Sequence, residues 1–163
     1  MSTQDKDAQQ IRLRRPTRQD IDRIMEILEM VNYHHIGGSE MPSFPLEDCF
    51  VAELDGRIVG VAGCRIIDEH NAKTTLMAVD PACRGHGVGL KLQRARMDHL
   101  CSLGLKHLYT NCDDEKVIDW YVRHFGYRAT GKRVAKTESF GLPYKTEWTT
   151  IVCDLQQEKD SHA

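Results

Sequence analysis

The sequence has no apolar run approaching the roughly 20 residues that cross a bilayer, and its first stretch, Met1 to Gln10, is polar rather than the apolar core of a secretory leader. No membrane partner is expected on that basis. Neither sign of charge dominates: 22 Lys and Arg stand against 24 Asp and Glu, for a formal charge of -2. No segment concentrates enough positive charge to follow a phosphate backbone, so no nucleic acid is expected as a partner. The densest basic run, Arg12 to Arg18, is interrupted by Leu13 and Pro16 and reads as the end of a strand. The six cysteines fall singly, without a CxxC pair or a dense framework, which excludes a disulfide scaffold and fits a reducing, cytoplasmic setting. Neither the adjacent His34 and His35 nor the looser His99 and His107 have the i, i+4 spacing of a helical zinc site, and no metal is expected.

The 163 residues suit one domain. Residues 1–10 are expected to be a disordered start, 11–155 the folded domain and 156–163 a polar tail. Alternation in Ile11-Arg12-Leu13-Arg14 predicts a short strand ended by Pro16, and Thr17 to Asp20 resembles a capping box ahead of a helix. Ile21, Ile24, Met25, Leu28 and Val31 step by three and four, as one buried face requires. Between Asn32 and Pro45, glycines and prolines break any regular helix, and a mobile flap is expected. Cys49 to Leu54, the turn Asp55-Gly56 and Arg57 to Ile67 predict a hairpin. Thr74 to Val79 is a further strand, stopped by Asp80-Pro81. Leu92, Ala95, Leu100 and Leu103 mark a helix closed by Gly104. A strand from Leu105 to Thr110, a helix through Val117, Ile118, Trp120, Tyr121 and Phe125 stopped by Gly126, and two last strands near 127–132 and 147–155 complete the order. Such an order predicts an α+β (α/β) domain with a mixed sheet flanked by helices.

Chemistry concentrates in Asp80-Pro81-Ala82-Cys83-Arg84-Gly85-His86-Gly87-Val88-Gly89. A strand ends, glycines follow at alternate positions, and a helix begins, which aims backbone N–H groups and the positive end of a helix dipole at one place. Glycine permits positive φ and close approach of an anion, and Arg84 adds a charged donor. Glycine-rich turns also serve nucleotides or tight packing. A Walker loop, however, would end in Gly-Lys-Ser/Thr, and a dinucleotide fingerprint would normally follow the first strand.

Three segments in order resemble the GCN5-related N-acetyltransferase (GNAT) superfamily, over nearly the whole of 11–155. Arg84 to Gly89 fits its Arg/Gln-x-x-Gly-x-Gly/Ala signature, Leu76-Met77-Ala78-Val79-Asp80-Pro81 is similar to the strand before it, and Trp120 to Tyr127 resembles its Tyr-x-x-x-Gly-Phe element. The resemblance implies a GNAT-like splayed sheet whose gap takes the pantetheine arm of acetyl-CoA or another acyl-CoA as co-substrate. It puts the diphosphate on Arg84, Gly85, His86, Gly87, Val88 and Gly89, and pairs pantetheine amides with Met77 and Val79. A backbone N–H near Ala78 or Val79 would stabilise the oxyanion. Tyr121 is implied as the general acid that protonates the departing thiolate. The acceptor implied is an amine of a small molecule or peptide, acylated directly in a ternary complex.

The general base stays open among Glu69, His70, His34, His35, Asp113, Asp114 and a water relay. Asp114 stands where the family often carries asparagine, so this chain departs there, and helix capping by Asp113 or Asp114 is the plainer reading. Cys83 and Cys112 lack a local histidine and orienting acid, which argues against an acyl-cysteine. Acceptor selection is expected from 32–45 and from Arg133 to Lys145; in and beside them, Lys132, Arg133, Lys136 and Lys145 would suit an acidic acceptor and Glu40, Glu47 and Glu138 an amine. Two rival readings stand beside this one. The donor could be an acyl carrier protein docked on Arg84, His86, Lys91 and Arg94, or the chain could be a non-catalytic acyl-CoA sensor. Exposed strand edges would allow a homodimer without requiring one.

Overall fold

A computed structural model of the chain describes residues 10–31, 46–136 and 141–155. The expected flap with His34, His35 and Glu40, the polar start up to residue 9, the tail from 156, and Glu138 lie outside the described residues.

Strand β1 (Ile11–Arg14) is followed by helix α1 (Ile21–Met30). Between them the Asp20 carboxylate accepts the Thr17 N–H at 2.7 Å and a two-pronged contact from Arg14 at 2.8 and 3.0 Å. The Arg14 guanidinium holds the Asp20 carboxyl far below its ordinary range. The basic run is therefore structural in part: Arg14 also pairs with Glu53 on the neighbouring strand, and Arg15 lies over the Phe50 ring. On α1 the buried stripe is Ile24, Ile27 and Leu28, whereas Met25, expected inside, faces solvent and Ile27 takes that role.

Strands β2 (Cys49–Leu54) and β3 (Arg57–Ile66) form the expected hairpin, with Asp55 and Gly56 at φ 54° and 76°. Positive φ at both turn residues matches the twist of the strands they join. Strand β4 (Asn71–Val79) starts three residues before the expected Thr74. The Asp68 carboxylate accepts the N–H groups of His70 and Asn71, which closes the turn early and lengthens the ladder. Helix α2 (Val88–Ser102) follows the glycine loop. Strand β5 (His107–Cys112) begins two residues after the expected Leu105, because Lys106 and His107 both donate to the His70 carbonyl where the chain enters the sheet. Helix α3 (Glu115–Phe125) stops at Gly126, φ 68°, as expected. Strands β6 (Arg128–Ala135) and β7 (Glu147–Asp154) complete a seven-stranded mixed sheet of order β1-β2-β3-β4-β5-β7-β6.

Helices cover both faces. Ile24, Ile27 and Leu28 pack on Val51, Val61, Leu76 and Ala78. Val88 and Leu92 of α2 pack on Ala52, Val59 and Ala62. Strand β3 is buried from Ile58 to Cys64, as a strand covered on both faces must be. The parallel pair β4–β5 is short: Asn71 to Lys73 lie against His107 to Tyr109, and beyond that the strands separate. The expected splayed mixed sheet is thus present.

The start of α2 is pressed against β3 at Gly60, where an added Cβ would lie 2.8 Å from Val88 Cγ1 and 2.9 Å from Leu92 Cδ1. Gly60→Ala is expected to destabilise the domain by about 1–3 kcal/mol through overpacking. Urea denaturation checks this, and an unchanged midpoint would mean that α2 does not ride this close to the sheet.

Candidate functional site

A cleft of 1070 Å³ opens where β4 leaves β5. One wall is the free edge of β4. The Asp80 N–H donates to the Val59 carbonyl at 2.8 Å, which fixes the alternation of the antiparallel β3–β4 ladder. Asp80 and Ala78 turn their backbone groups toward β3, and Met77 and Val79 turn theirs toward the cleft. Of the three β4 residues singled out in the sequence, Ala78 therefore contributes wall surface while its N–H points to the neighbouring strand. Met77 and Val79 present a strand edge that an extended amide chain can pair with.

The glycine loop lies at the end of that edge. Asp80 accepts the Ala82 N–H at 3.0 Å and pairs with Arg23 at 2.8 Å, anchoring the turn that leads into the loop. Those two contacts, the Ala82 N–H first, hold the Asp80 carboxyl below its ordinary value. Gly85 and Gly87 have φ of 86° and 78°, and a Cβ at either would meet nothing within 4 Å. These two glycines are required by backbone conformation rather than by crowding. Gly87 opens α2, its carbonyl accepting the Lys91 N–H at 3.1 Å. The N–H groups of Val88, Gly89 and Leu90 have no acceptor within the helix, and they gather at the dipole's positive end. Arg84, Gly85, Gly87, Val88 and Gly89 line the cleft, while His86 is exposed and lies outside its lining.

Tyr121 forms part of the cleft floor and is 5 % exposed. Its hydroxyl accepts a hydrogen bond from Arg96 Nη2 at 3.2 Å. Burial pushes the phenol's pKa up, and the Arg96 charge opposes the rise. Val117, an apolar residue four positions earlier on the same helix, is exposed and lines the cleft. Arg96 itself, 0 % exposed, was not singled out by the sequence reading. A signal was available: Arg96 falls midway between Leu92 and Leu100, four residues from each, on the buried stripe of α2.

On the opposite side of the cleft, Asp113 accepts from Lys136 Nζ at 2.6 Å and from the Leu142 N–H at 2.7 Å, and both side chains of this ion pair are nearly buried. Lys136 also lies 4.5 Å from the centre of the Trp148 ring. A Cβ at Gly141 would run into the Asp113 carboxylate, so the chain passes close by as glycine, at φ 76°. Asp113 and Lys136, weighed in the sequence as a base and as a contact for an acidic acceptor, are thereby tied to each other. Asp114 caps α3, accepting the Lys116 N–H at 2.9 Å, and lines the cleft. Glu69 and His70 sit in the β3–β4 turn, at the end of the sheet where β4 and β5 are paired, away from the opening.

A model of the acetyltransferase (GNAT) family matches residues 18–127. The chain belongs to the GNAT family. This GNAT chain is 34 % identical over 80 residues to a mycothiol acetyltransferase of Actinosynnema mirum, a match that covers 47 % of this chain and 27 % of that relative. It thus spans about a quarter of that relative's length. An N-acetyltransferase of Staphylococcus aureus superposes with a TM-score of 0.69 at 15 % identity, covering 90 % of this chain and 99 % of the other. A putative acetyltransferase of Salmonella typhimurium, solved with its cofactor acetyl-CoA, gives 0.68 at 16 % identity over 90 % and 95 % of the two chains. These structures establish the shared fold.

Among the described residues no group of His, Cys, Asp and Glu could hold a metal ion. Cys83 and Cys112 both line the cleft of this GNAT domain. Burial pushes the Cys112 thiol up to about 12, so it stays protonated near neutrality and is a poor nucleophile. Alkylation of Cys112 in the folded protein, followed by peptide mass mapping, is expected to accelerate with each pH step up to the limit of stability. A rate that levels off near pH 8.5 would show an ordinary, accessible thiol.

Proposed function

We propose that this chain is an N-acyltransferase that moves an acetyl or other acyl group from acyl-CoA to an amine of a small molecule or peptide, within a ternary complex. The observation that carries this reading is the continuity of the free β4 edge at Met77 and Val79, the positive-φ loop from Arg84 to Gly89, and the Tyr121 hydroxyl along one cleft. The cleft is large enough for a long co-substrate. Its strand edge, anion-binding end and phenol match the amides, diphosphate and sulfur of an acyl-CoA in that order.

Acyl-CoA supplies an activated thioester carbonyl. Met77 and Val79 pair with the pantetheine amides, and the loop N–H groups with Arg84 hold the diphosphate. An N–H of the cleft-facing β4 edge stabilises negative charge that develops on the carbonyl oxygen, a part that the Ala78 N–H cannot take from its side of the strand. As the acceptor nitrogen bonds to the carbonyl carbon, the C–S bond breaks and Tyr121 gives its proton to the sulfur. The extra proton on the new amide nitrogen leaves to water, and the phenolate recovers one from solvent. Asp114 is the described carboxylate best placed to help an incoming amine shed its proton, because it lines the cleft with one oxygen on the Lys116 N–H, whereas Asp113 is held by Lys136.

Thiol release from acetyl-CoA across an amine panel, with calorimetry of CoA binding, tests the reading. Tight binding without turnover would favour an acyl-CoA sensor, and activity only with acyl carrier donors would move the far end of the donor from nucleotide to protein. Tyr121→Phe is expected to lower kcat by roughly 10²-fold, as loss of a general acid does, with the CoA Kd little changed. Unchanged turnover would remove Tyr121 from the chemistry.

A further inference from the structure

A charged side chain sits fully buried at the fork of the sheet with no carboxylate against it among the described residues. Arg96 Nε donates to Gln93 Oε1 at 2.9 Å, and Nη2 donates to the same oxygen. Nη1 donates to the carbonyls of Gly63 at 3.0 Å and Leu76 at 2.9 Å. Nη2 also donates to Tyr121 Oη at 3.2 Å. Every N–H of the guanidinium is thus used. Gly63 of β3 and Leu76 of β4 are the pair that borders the register shift in the β3–β4 ladder, where Thr75 is the extra residue, so the cation ties together carbonyls of two strands at a β-bulge.

Arginine can only donate. Its contact with Tyr121 therefore occupies a lone pair of the phenol and cannot accept the phenol's proton. No acceptor for that proton is present among the described residues, and Tyr121 lines the cleft. The rest of the network keeps the arrangement fixed. Gln93 Nε2 donates to Tyr127 Oη at 3.0 Å, the Thr110 hydroxyl reaches the same oxygen at 3.2 Å, and Thr74 reaches Thr110 at 3.2 Å. The titratable groups packed on Tyr121 are Arg96 of α2, Cys112 of β5 and Tyr127, and none is an anion at neutral pH.

We propose that Arg96 is a positioning residue for the acid of the reaction: by donating to Tyr121 Oη from inside the bulge it turns the phenol's proton toward the cleft, and its unneutralised charge stabilises the phenolate that remains once the proton has gone to sulfur. This rests on the acyl-transfer reading for its catalytic half only. The placement of a lone cation beside Tyr121 stands independently of any substrate.

Three variants test it. Arg96→Lys keeps the charge but cannot span Gln93, the two carbonyls and Tyr121 together. It should lower kcat by about 10- to 100-fold with CoA binding within about threefold of wild type. In a Tyr121→Phe background the same substitution should change kcat by less than about threefold, since the two residues act as one unit. Gln93→Glu leaves Arg96 in place and sets a carboxylate against it, so it tests the charge even if Arg96→Lys does not fold. With fluorotyrosine incorporated and the Tyr121 signal assigned by its loss in Tyr121→Phe, ¹⁹F NMR should show the Tyr121 ionisation moving up by about one pH unit in Gln93→Glu. Equal losses from Arg96→Lys with and without the Tyr121 hydroxyl, or an unmoved ionisation in Gln93→Glu, would overturn the proposal. Absence of thiol release by the wild type with every donor and amine would defeat acyl transfer alone, and the ¹⁹F result would still decide whether Arg96 governs Tyr121.

Discussion

The structure turns on the point where β4 and β5 stop pairing. Parallel ladder bonds join them only from Asn71 to Lys73 and from His107 to Tyr109, and at the next residues side chains take over, Thr74 reaching Thr110 through their hydroxyls. Two strands that diverge leave backbone donors and acceptors unpaired, a costly state unless something else occupies the gap. Arg96 is wedged at this fork and binds a carbonyl of β3 and one of β4 beside the bulge, so it joins the two strands where β4 leaves β5. The free edge of β4, the placement of the glycine loop at its end and the access to Tyr121 all follow from that separation.

A buried cation without a carboxylate is an expensive way to fill a core, and apolar residues of similar volume would often stabilise a fold as well. Complete hydrogen bonding offsets part of the cost here, since each guanidinium N–H has an acceptor. What apolar packing could not supply is a fixed donor aimed at a phenol oxygen. The second polar cluster, Asp113 with Lys136 and the Leu142 N–H, has the opposite character: a neutralised pair that pins the β6–β7 connection to the end of β5. One side of the cleft therefore carries an uncompensated charge beside a phenol, and the other carries a compensated pair that fixes a loop.

Much of this was legible before any coordinates. Gly85 and Gly87 announce positive φ, Asp55-Gly56 a tight hairpin and Gly126 a helix stop, because each of these conformations strongly favours particular residues wherever the chain goes. Strand starts were less legible: β4 begins early because Asp68 closes the turn before it, an interaction spread over four residues with no periodic signature. Met25 and Val117 lay on apparent apolar stripes, yet Met25 faces solvent and Val117 lines the cleft, since the width of a buried face depends on what packs against it. Among the cleft carboxylates, Asp113 and Asp114 look alike as neighbours in sequence. Only Lys136, 23 residues later, separates their roles.

By itself the sequence determined the family, the order of strands and helices, and the loop from Arg84 to Gly89, because these depend on local dihedral preference, periodicity and short motifs. Tertiary structure alone decided that Val79 rather than Ala78 turns its N–H to the cleft, that Asp113 is bound to Lys136, and that Arg96 meets Tyr121, 25 residues further along the chain. Strand register and the meeting of buried polar groups are set by packing between distant segments, and one-dimensional spacing carries no record of that.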